Sequence, residues 1–433
     1  MSDVNLPESW QEIPLGSLGI FFRGQGGTRS DESHNGLPCI RYGDLYTHHG
    51  CIVKSFCSAI EPDKASSYTP LKSGDIVFAG SGETSEEIGK AAAYCGQDKV
   101  YAGGDTIIFR PRSNLDSYFA GYAVNSNHFA KHKSRLGQGS SVIHISAEYL
   151  ASIPLRLPPV QQQQTIATVL QTIDRTIAHT EALIEKYQQI KAGLMHDLFT
   201  RGIGSDGKLR PPREQAPELY QESAIGWIPR EWEVKLLGKL CNITSGGTPN
   251  RSKSNFWGGS IPWIKTGEIK YGKIEKSEEH ITKEGLNSSS AKLFCKGTVV
   301  MAIYGEGNTR GRVAILGIDC ASNQACVGFE FNGLIESQFM YFLFEYKYHD
   351  LRDMSNDGSQ KNLSSSLLKS MDISFPRCKD EQVRITNCLL SINKKIEQEK
   401  ETRSKLNKQK SGLMHDLLTG KVPVTVEPDE NRA

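Results

Sequence analysis

The residues best suited to chemistry in this sequence are cations and hydrogen-bonding side chains set among glycines, and they form two corresponding series. The N-terminal series holds Arg23, Thr28 and Arg29 in RGQGGTRS, Arg41 in IRYGD, Lys90 in IGKAA, and Gln138, Ser140, Ser141 and His144 in LGQGSSVIH. The C-terminal series holds Ser245, Thr248, Arg251 and Lys253 in SGGTPNRSK, and Lys265 and Thr266 in IKTGE. It continues with Asn308, Arg310 and Arg312 in GEGNTRGR, and Ser359, Gln360, Lys361 and Asn362 in DGSQKN. Guanidinium and ammonium groups pair with anionic oxygens, amides and hydroxyls donate and accept, and flanking glycines let a backbone approach closely. That is binding chemistry. Any one such loop could be a solvated turn. What favours a function is that the same loops are polar in both series while their residues differ.

Bond-making chemistry has no comparable signal. GETSEEIGKA is not a phosphate loop, because the glycines are too far apart and no Ser or Thr follows Lys90. No glycine-rich nucleotide fingerprint follows a strand, and no Asn/Asp-Pro-Pro-aromatic run of an amino-methyltransferase occurs. Glu268-x-Lys270 and Glu345-x-Lys347 lack the preceding Pro-Asp of a metal nuclease, and no HExxH is present. His196 and His415 recur at matching places and read best as polar positions facing a partner. Ten scattered cysteines without a CxxC predict free thiols in a reducing cytoplasm. A net charge of +2 confines any basic surface to local patches. The N-terminal MSDVNLPESWQEIPLG has neither a basic nor an apolar signal region, and no apolar run reaches membrane length. These observations predict a cytoplasmic, non-catalytic chain with no metal and no cofactor.

The elements that hold the loops are themselves repeated. GLMHDLFTRG at 193–202 returns as GLMHDLLTGK at 412–421, an offset of 219 positions. PESWQEIPLGSL parallels PREWEVKLLGKL, LPCIRYGDL parallels IPWIKTGEI, and KSGDIVFAGSGE parallels CKGTVVMAIYGE, all in the same order. The chain is a tandem duplication. Each half begins with short β-rich runs between Gly, Ser, Asn and Pro turns, interrupted by helices, and ends in one long helix after a proline stop. Trp10 and Trp232 are expected to anchor the start of each globule. Steps of four and three pick out a coiled-coil seam: Ile166, Leu170, Ile173, Ile177, Thr180, Ile184, Tyr187, Lys191, Leu194 and Leu198 in the first helix. In the second they pick out Ile385, Leu389, Ile392, Ile396, Glu399, Arg403, Leu406, Lys410, Leu413 and Leu417. One apolar stripe per helix is economically buried by packing the two helices antiparallel.

Two such globules, each followed by a helix ending in GLMxDLLTG-like sequence, resemble the specificity subunit of type I restriction–modification enzymes from Trp10 to Val422. LPPVQQQQTIATVLQTIDRTI, DEQVRITNCLLSINKKI and SGETSEEIGKAA are similar to stretches of that family; RCKDEQ in place of a Pro-x-x-x-Gln run and the seam residues Glu399 and Arg403 depart from it. The resemblance implies an α+β fold: two target-recognition globules separated by two long antiparallel coiled-coil helices, with a pseudo-two-fold repeat. Its parts are a first recognition domain at 1–158, a spacer helix at 159–202, a linker at 203–226, a second recognition domain at 227–376, a second spacer helix at 377–420 and a tail at 421–433. It implies that each globule reads half of a bipartite double-stranded DNA target through the loops named above. The helices would set the gap and dock two modification (methyltransferase) subunits, then the restriction (motor-nuclease) subunits. Half-sites of different sequence would require the differing loop residues. The alternative is a repeat scaffold that binds protein partners through its helices without DNA.

Overall fold

The computed structural model describes residues 6–27, 31–85, 87–112, 114–136, 142–305, 307–354 and 362–425. Two compact units divide the chain, one formed by 1–181 with 401–433 and the other by 182–400.

In the first unit, Gly19–Arg23 (β1), Ile76–Ala79 (β2), Ala91–Ala93 (β3) and Thr106–Pro111 (β4) form an antiparallel sheet in the order β1-β4-β2-β3. Because successive side chains on a strand face opposite ways, this sheet serves two cores. Ile76, Phe78, Ile107 and Phe109 pack with Phe119, Tyr122 and Phe129 from the helices Ser117–Ala123 (α1) and Asn127–Leu136 (α2). Val77, Ala79 and Ile108 pack instead with Ile40, Leu45 and Ala102. A second sheet runs Ser58–Ile60, Glu32–Ile40, Tyr101–Ala102, Thr69–Pro70. Gln11–Pro14 pairs antiparallel with Pro154–Leu157, and the long helix Val160–Thr200 (α3) follows.

The second unit repeats this topology. Cys241–Ser245 (β5), Val299–Ala302 (β6), Val313–Leu316 (β7) and Cys326–Phe331 (β8) take the order β5-β8-β6-β7, extended by Lys273–Ile274 beside β7. Its other sheet runs Glu279–Ile281, Trp257–Ile264, Cys320–Ser322, Leu293–Phe294, with one register shift in the long strand, as in the first unit. The helices Ser337–Tyr346 (α4) and Tyr348–Asp353 (α5) correspond to α1 and α2. Trp232–Leu236 pairs with Asp372–Pro376 before the long helix Lys379–Leu418 (α6).

The compact units do not coincide with the sequence halves. The first unit's core joins Ile166, Ala167 and Leu170, near the start of α3, to Leu413, Met414, Leu417 and Leu418, near the end of α6. The second joins Ile385 and Leu389 of α6 to Leu194, Met195, Leu198 and Phe199 of α3. Within each unit the helices therefore run antiparallel, and each GLMHDL stretch completes the core of the globule that its own half does not encode. That answers to the duplication: neither half buries its own apolar ending. Most apolar seam positions are buried, and several polar or peripheral ones are not. Ile166, Leu170, Ile385 and Leu389 are fully buried, and Ile177, Ile184, Ile392, Ile396, Leu198 and Leu417 nearly so. Ile173, Leu194 and Leu413 are half-buried, as are Glu399, Arg403 and Leu406 together on α6.

The paired lysines of the two helices hold different acids. Lys410 Nζ lies 2.6 Å from Asp174, whose other oxygen accepts from Tyr122 at 2.8 Å. Lys191 Nζ lies 2.6 Å from Glu345 on α4. Where the first unit has Asp174 and Tyr122, the second has Asn393 and Phe342, so the carboxylate has moved from the long helix to the globule while the lysine stays.

Candidate nucleic-acid interface

Backbone hydrogen bonds join several of the polar loops within each globule. In the first unit Gly104 N–H donates to Gly26 C=O (2.7 Å), Gly103 N–H to Ile40 C=O (3.0 Å), Gly80 N–H to Asp105 C=O (2.9 Å) and Ile145 N–H to Gly80 C=O (3.0 Å). These bonds join the loops that carry Arg23, Arg41 and His144. In the second unit Gly247 N–H donates to Ser322 C=O (2.8 Å), Asn323 N–H to Ile264 C=O (3.1 Å), Ile303 N–H to Ala325 C=O (2.9 Å) and Leu363 N–H to Ile303 C=O (3.1 Å). They join the loops of Ser245, Lys265 and Asn362 in a matching pattern, except that the glycine loop donates in the second unit and accepts in the first.

Within that frame the side chains are individually anchored. Arg41 and Lys265 each begin a short turn, and each backbone N–H donates to the acid three residues on, Asp44 or Glu268, at 2.9 Å. Their cations are paired: Arg41 with Glu32, and Lys265 with Glu279 at 2.8 Å and Glu278 at 3.5 Å. The acid comes from the same strand in the first unit and from its neighbour in the second, so the motif that shows the cation gives no sign of its partner. Arg251 also binds Glu279 and lies over Trp257, its Cζ 3.7 Å from the ring centre. The loops of Arg251 and Lys265 thus meet on one carboxylate. Lys253 sits 5.0 Å from the Phe256 ring centre. Thr248 donates to Gln324 at 2.6 Å, and Thr266 C=O accepts from Ile269 N–H at 3.1 Å inside the capped turn. Arg23, His144 and Ser245 are exposed; His144 Nδ1 is 2.8 Å from Ser81 Oγ. Thr28, Arg29, Gln138, Ser140, Ser141, Ser359, Gln360 and Lys361 lie outside the described residues.

The IGK and RGR turns share two backbone bonds, and in the second Gly311 N–H also donates to Ala302 C=O at 2.8 Å. Ala79 and Ala302 N–H donate to the carbonyls of Lys90 and Arg312 at 2.9 and 3.0 Å. Gly89 and Gly311 have φ of +65° and +85°, the left-handed region in which glycine avoids Cβ strain. Lys90 and Arg312 are half-buried; the Lys90 ammonium donates to Tyr46 C=O at 3.2 Å. Arg310 takes the place of buried Ile88 and is itself 8% exposed, with Nη2 donating to Arg352 C=O at 3.3 Å. Burial and the adjacent Arg352 charge lower its pKa below the usual arginine value. Asn308 C=O accepts from Tyr348 OH at 2.8 Å, and Asn362 is half-buried.

One buried cation was not legible in the loop motifs. Lys133 on α2 is 3% exposed and donates to Gly89 C=O at 2.7 Å. Burial pulls its pKa down from 10.5 to about 7. The unfolded chain therefore binds more protons between those values, and this residue's contribution to stability rises with pH across the window. In urea titrations, Lys133→Met is expected to shift stability in the variant's favour, relative to the parent, as pH falls from 10.5 to 7. A difference independent of pH would contradict the burial of an amine there.

The Type I restriction modification DNA specificity domain model matches residues 7–189 and again 229–408. The chain belongs to the type I restriction–modification DNA specificity family. Two Methanocaldococcus jannaschii relatives, the MjaX and MjaVIII specificity subunits, are 25% and 23% identical over 97% and 98% of this chain and 95% of each relative. The fold is similar to the crystal structure of the S subunit from M. genitalium, with a TM-score of 0.57 and 16% identity, covering 98% of this chain and 99% of that one. As a member of this family the chain is a specificity component of a type I system, not its catalytic one. Among the described residues no helix is long and apolar enough to cross a membrane.

The family's helical starts are structural anchors in this chain. Gln163 at the head of α3 donates to Pro158 C=O (2.9 Å) and accepts from Asp116 N–H (2.8 Å). Gln382 at the head of α6 does the same with Pro376 C=O and Glu336 N–H, both at 2.8 Å, so RCKDEQ keeps the glutamine's role despite its different surroundings. The residue before each glutamine receives the tryptophan: Trp10 Nε1 donates to Gln162, and Trp232 Nε1 to Glu381, both at 3.0 Å.

Proposed function

We propose that this chain reads a bipartite DNA target, one half through each globule, with the two long helices setting the gap and docking two modification subunits and then the restriction subunits. The observation that carries this reading is the matched pair of loop frames: the same hydrogen-bonded turns carry Lys90 in one unit and Arg312 in the other, and Arg41 in one and Lys265 in the other. One scaffold with two sets of side chains suits two half-sites of different sequence. Phosphate contacts position a protein on DNA, and contacts to base edges specify the site. Several of these cations are already paired with acids, so phosphates must compete with Glu32 and Glu279 for them. Site recognition therefore belongs to the assembled complex, with binding that weakens steeply as salt rises, by about 0.9 in log–log slope per phosphate contact.

A gel-shift titration of the chain alone and with its modification subunits, on target-containing and random duplexes, tests this. Tight target-specific binding by the complex and weak binding by the chain alone is the expected result. No DNA binding by the complex would favour a repeat scaffold that recruits proteins only.

Arg312→Ala is expected to weaken discrimination at the second globule's half-site by roughly 1–3 kcal/mol if the guanidinium addresses a guanine, and to weaken all duplexes alike if it meets phosphate. Binding measured against duplexes altered in one half at a time distinguishes these cases, and unchanged affinity for every duplex would remove Arg312 from the reading surface. Arg310→Ala, measured beside it, tests the buried neighbour separately.

A further inference from the structure

Both glycine turns described above are held from behind by a basic side chain on the corresponding helix. Lys133 on α2 donates to Gly89 C=O at 2.7 Å, and Arg352 on α5 donates to Arg310 C=O at 3.2 Å. In each case the glycine lies against the aliphatic stem of that same residue. A Cβ on Gly89 would stand 3.0 Å from Lys133 Cδ, and one on Gly311 would stand 3.5 Å from Arg352 Cγ. The helix side of each contact is braced by an aromatic ring. Lys133 Nζ is 5.8 Å from the Phe129 ring centre and Arg352 Cζ 5.5 Å from that of Tyr348, whose hydroxyl donates to Asn308 C=O in the same loop. The arrangement recurs although the basic residue, the ring and the carbonyl all differ. A long polar side chain, buried at Lys133 and half-buried at Arg352, is a costly way to stabilise a turn that a leucine would pack against, unless the carbonyl's position itself matters. The residue after each glycine is the cation of its loop, Lys90 or Arg312.

We propose that Lys133 and Arg352 are positioning residues for DNA recognition, fixing the turns so that Lys90 and Arg312 meet the DNA in one geometry. This rests on the reading that each globule addresses its own half-site. A positioning role predicts that the effect of each substitution is confined to one half of the target. Loss of the donor lets the glycine turn relax, and the cation at its end then accepts more than one base or phosphate arrangement.

The test uses the full chain co-expressed with its modification subunits in a host lacking other DNA methylation, and maps methylated bases genome-wide. Arg352→Met is expected to reduce discrimination in one half of the methylated motif by about tenfold, within the range that one base contact carries, and to leave the other half unchanged. Lys133→Met is expected to do the same to the opposite half. Arg352→Lys, which keeps a donor on a long stem, is expected to restore the parent motif. Methylation that falls evenly with both halves intact, or relaxation of both halves by either variant, would overturn the proposal. So would loss of soluble complex in both methionine variants, since the contacts would then serve folding alone. Arg312→Ala separates the two layers: if it relaxes its half-site and Arg352→Met does not, the positioning idea fails and the reading stands. If Arg312→Ala leaves the motif intact as well, the loop is no reading surface.

Discussion

Glu381→Ala is expected to destabilise the second unit by about 3–5 kcal/mol, the range for breaking a buried ion pair by removing one partner. Glu381 is 3% exposed and Arg210 is 6% exposed. The carboxylate accepts from Arg210 Nη1 at 2.6 Å and Nη2 at 3.0 Å, from Trp232 Nε1 at 3.0 Å and from Ile203 N–H at 3.0 Å. Alanine would leave Arg210 with Glu231 as its remaining acid and strand two buried donors, each costing about 1–3 kcal/mol. The duplicated position gives an internal control. Gln162 receives Trp10 without an arginine, so Gln162→Ala leaves only the indole N–H without a partner, a loss of about 1 kcal/mol. Glu381→Gln keeps the indole bond and removes the charge, and should fall between the two. Urea unfolding followed by tryptophan fluorescence measures all three; a loss below 1 kcal/mol in Glu381→Ala would show that the ion pair is not what fixes the linker arginine to this unit.

Inserting four residues near Thr180 in α3 is expected to lengthen the unspecified gap of the DNA target by one or two base pairs without changing either half. The two long helices have 41 and 40 residues, or about 60 Å each at about 1.5 Å per residue. Four more residues add about 6 Å if they remain helical, and a four-residue stutter is one that a coiled coil accommodates by local unwinding. Thr180 is 8% exposed and polar, so an insertion beside it disturbs less apolar packing than one at either end of the seam, where Ile166 and Leu170 or Leu198 are buried in a globule's core. Full activity with an unchanged gap would mean that the helices dock partners and do not set the spacing.

The repeat was legible in the sequence as ordered matches between its halves, and the two long helices and the loops were legible because each leaves a local signature. A strand alternation, a seam of threes and fours, and an arginine among glycines can each be read within a dozen residues. Contacts between distant segments left no such mark. That Leu417 and Leu418 complete the first core and Leu198 and Phe199 the second follows from antiparallel pairing, and the repeat suggested it only through the need to bury one stripe per helix. Arg310 and Arg312 look alike in GEGNTRGR, yet one is buried in the place of Ile88 and the other occupies the place of Lys90. The register of β6 with β7 decides that difference. The parallel of IGKAA with RGRVA carries the sign of it, since Arg310 falls opposite Ile88, an apolar residue in a polar loop. The acids that hold Arg251 and Lys265, and the lysine behind Gly89, lie on other strands and helices and carry no motif of their own.

The decisive measurement is a map of methylated bases in a host that carries this chain with its modification subunits. One motif made of two specific half-sites of different sequence, separated by a fixed run of unspecified bases, is the expected result, with a single-half change when Arg312 is replaced. A continuous motif, or methylation without sequence preference, would contradict it.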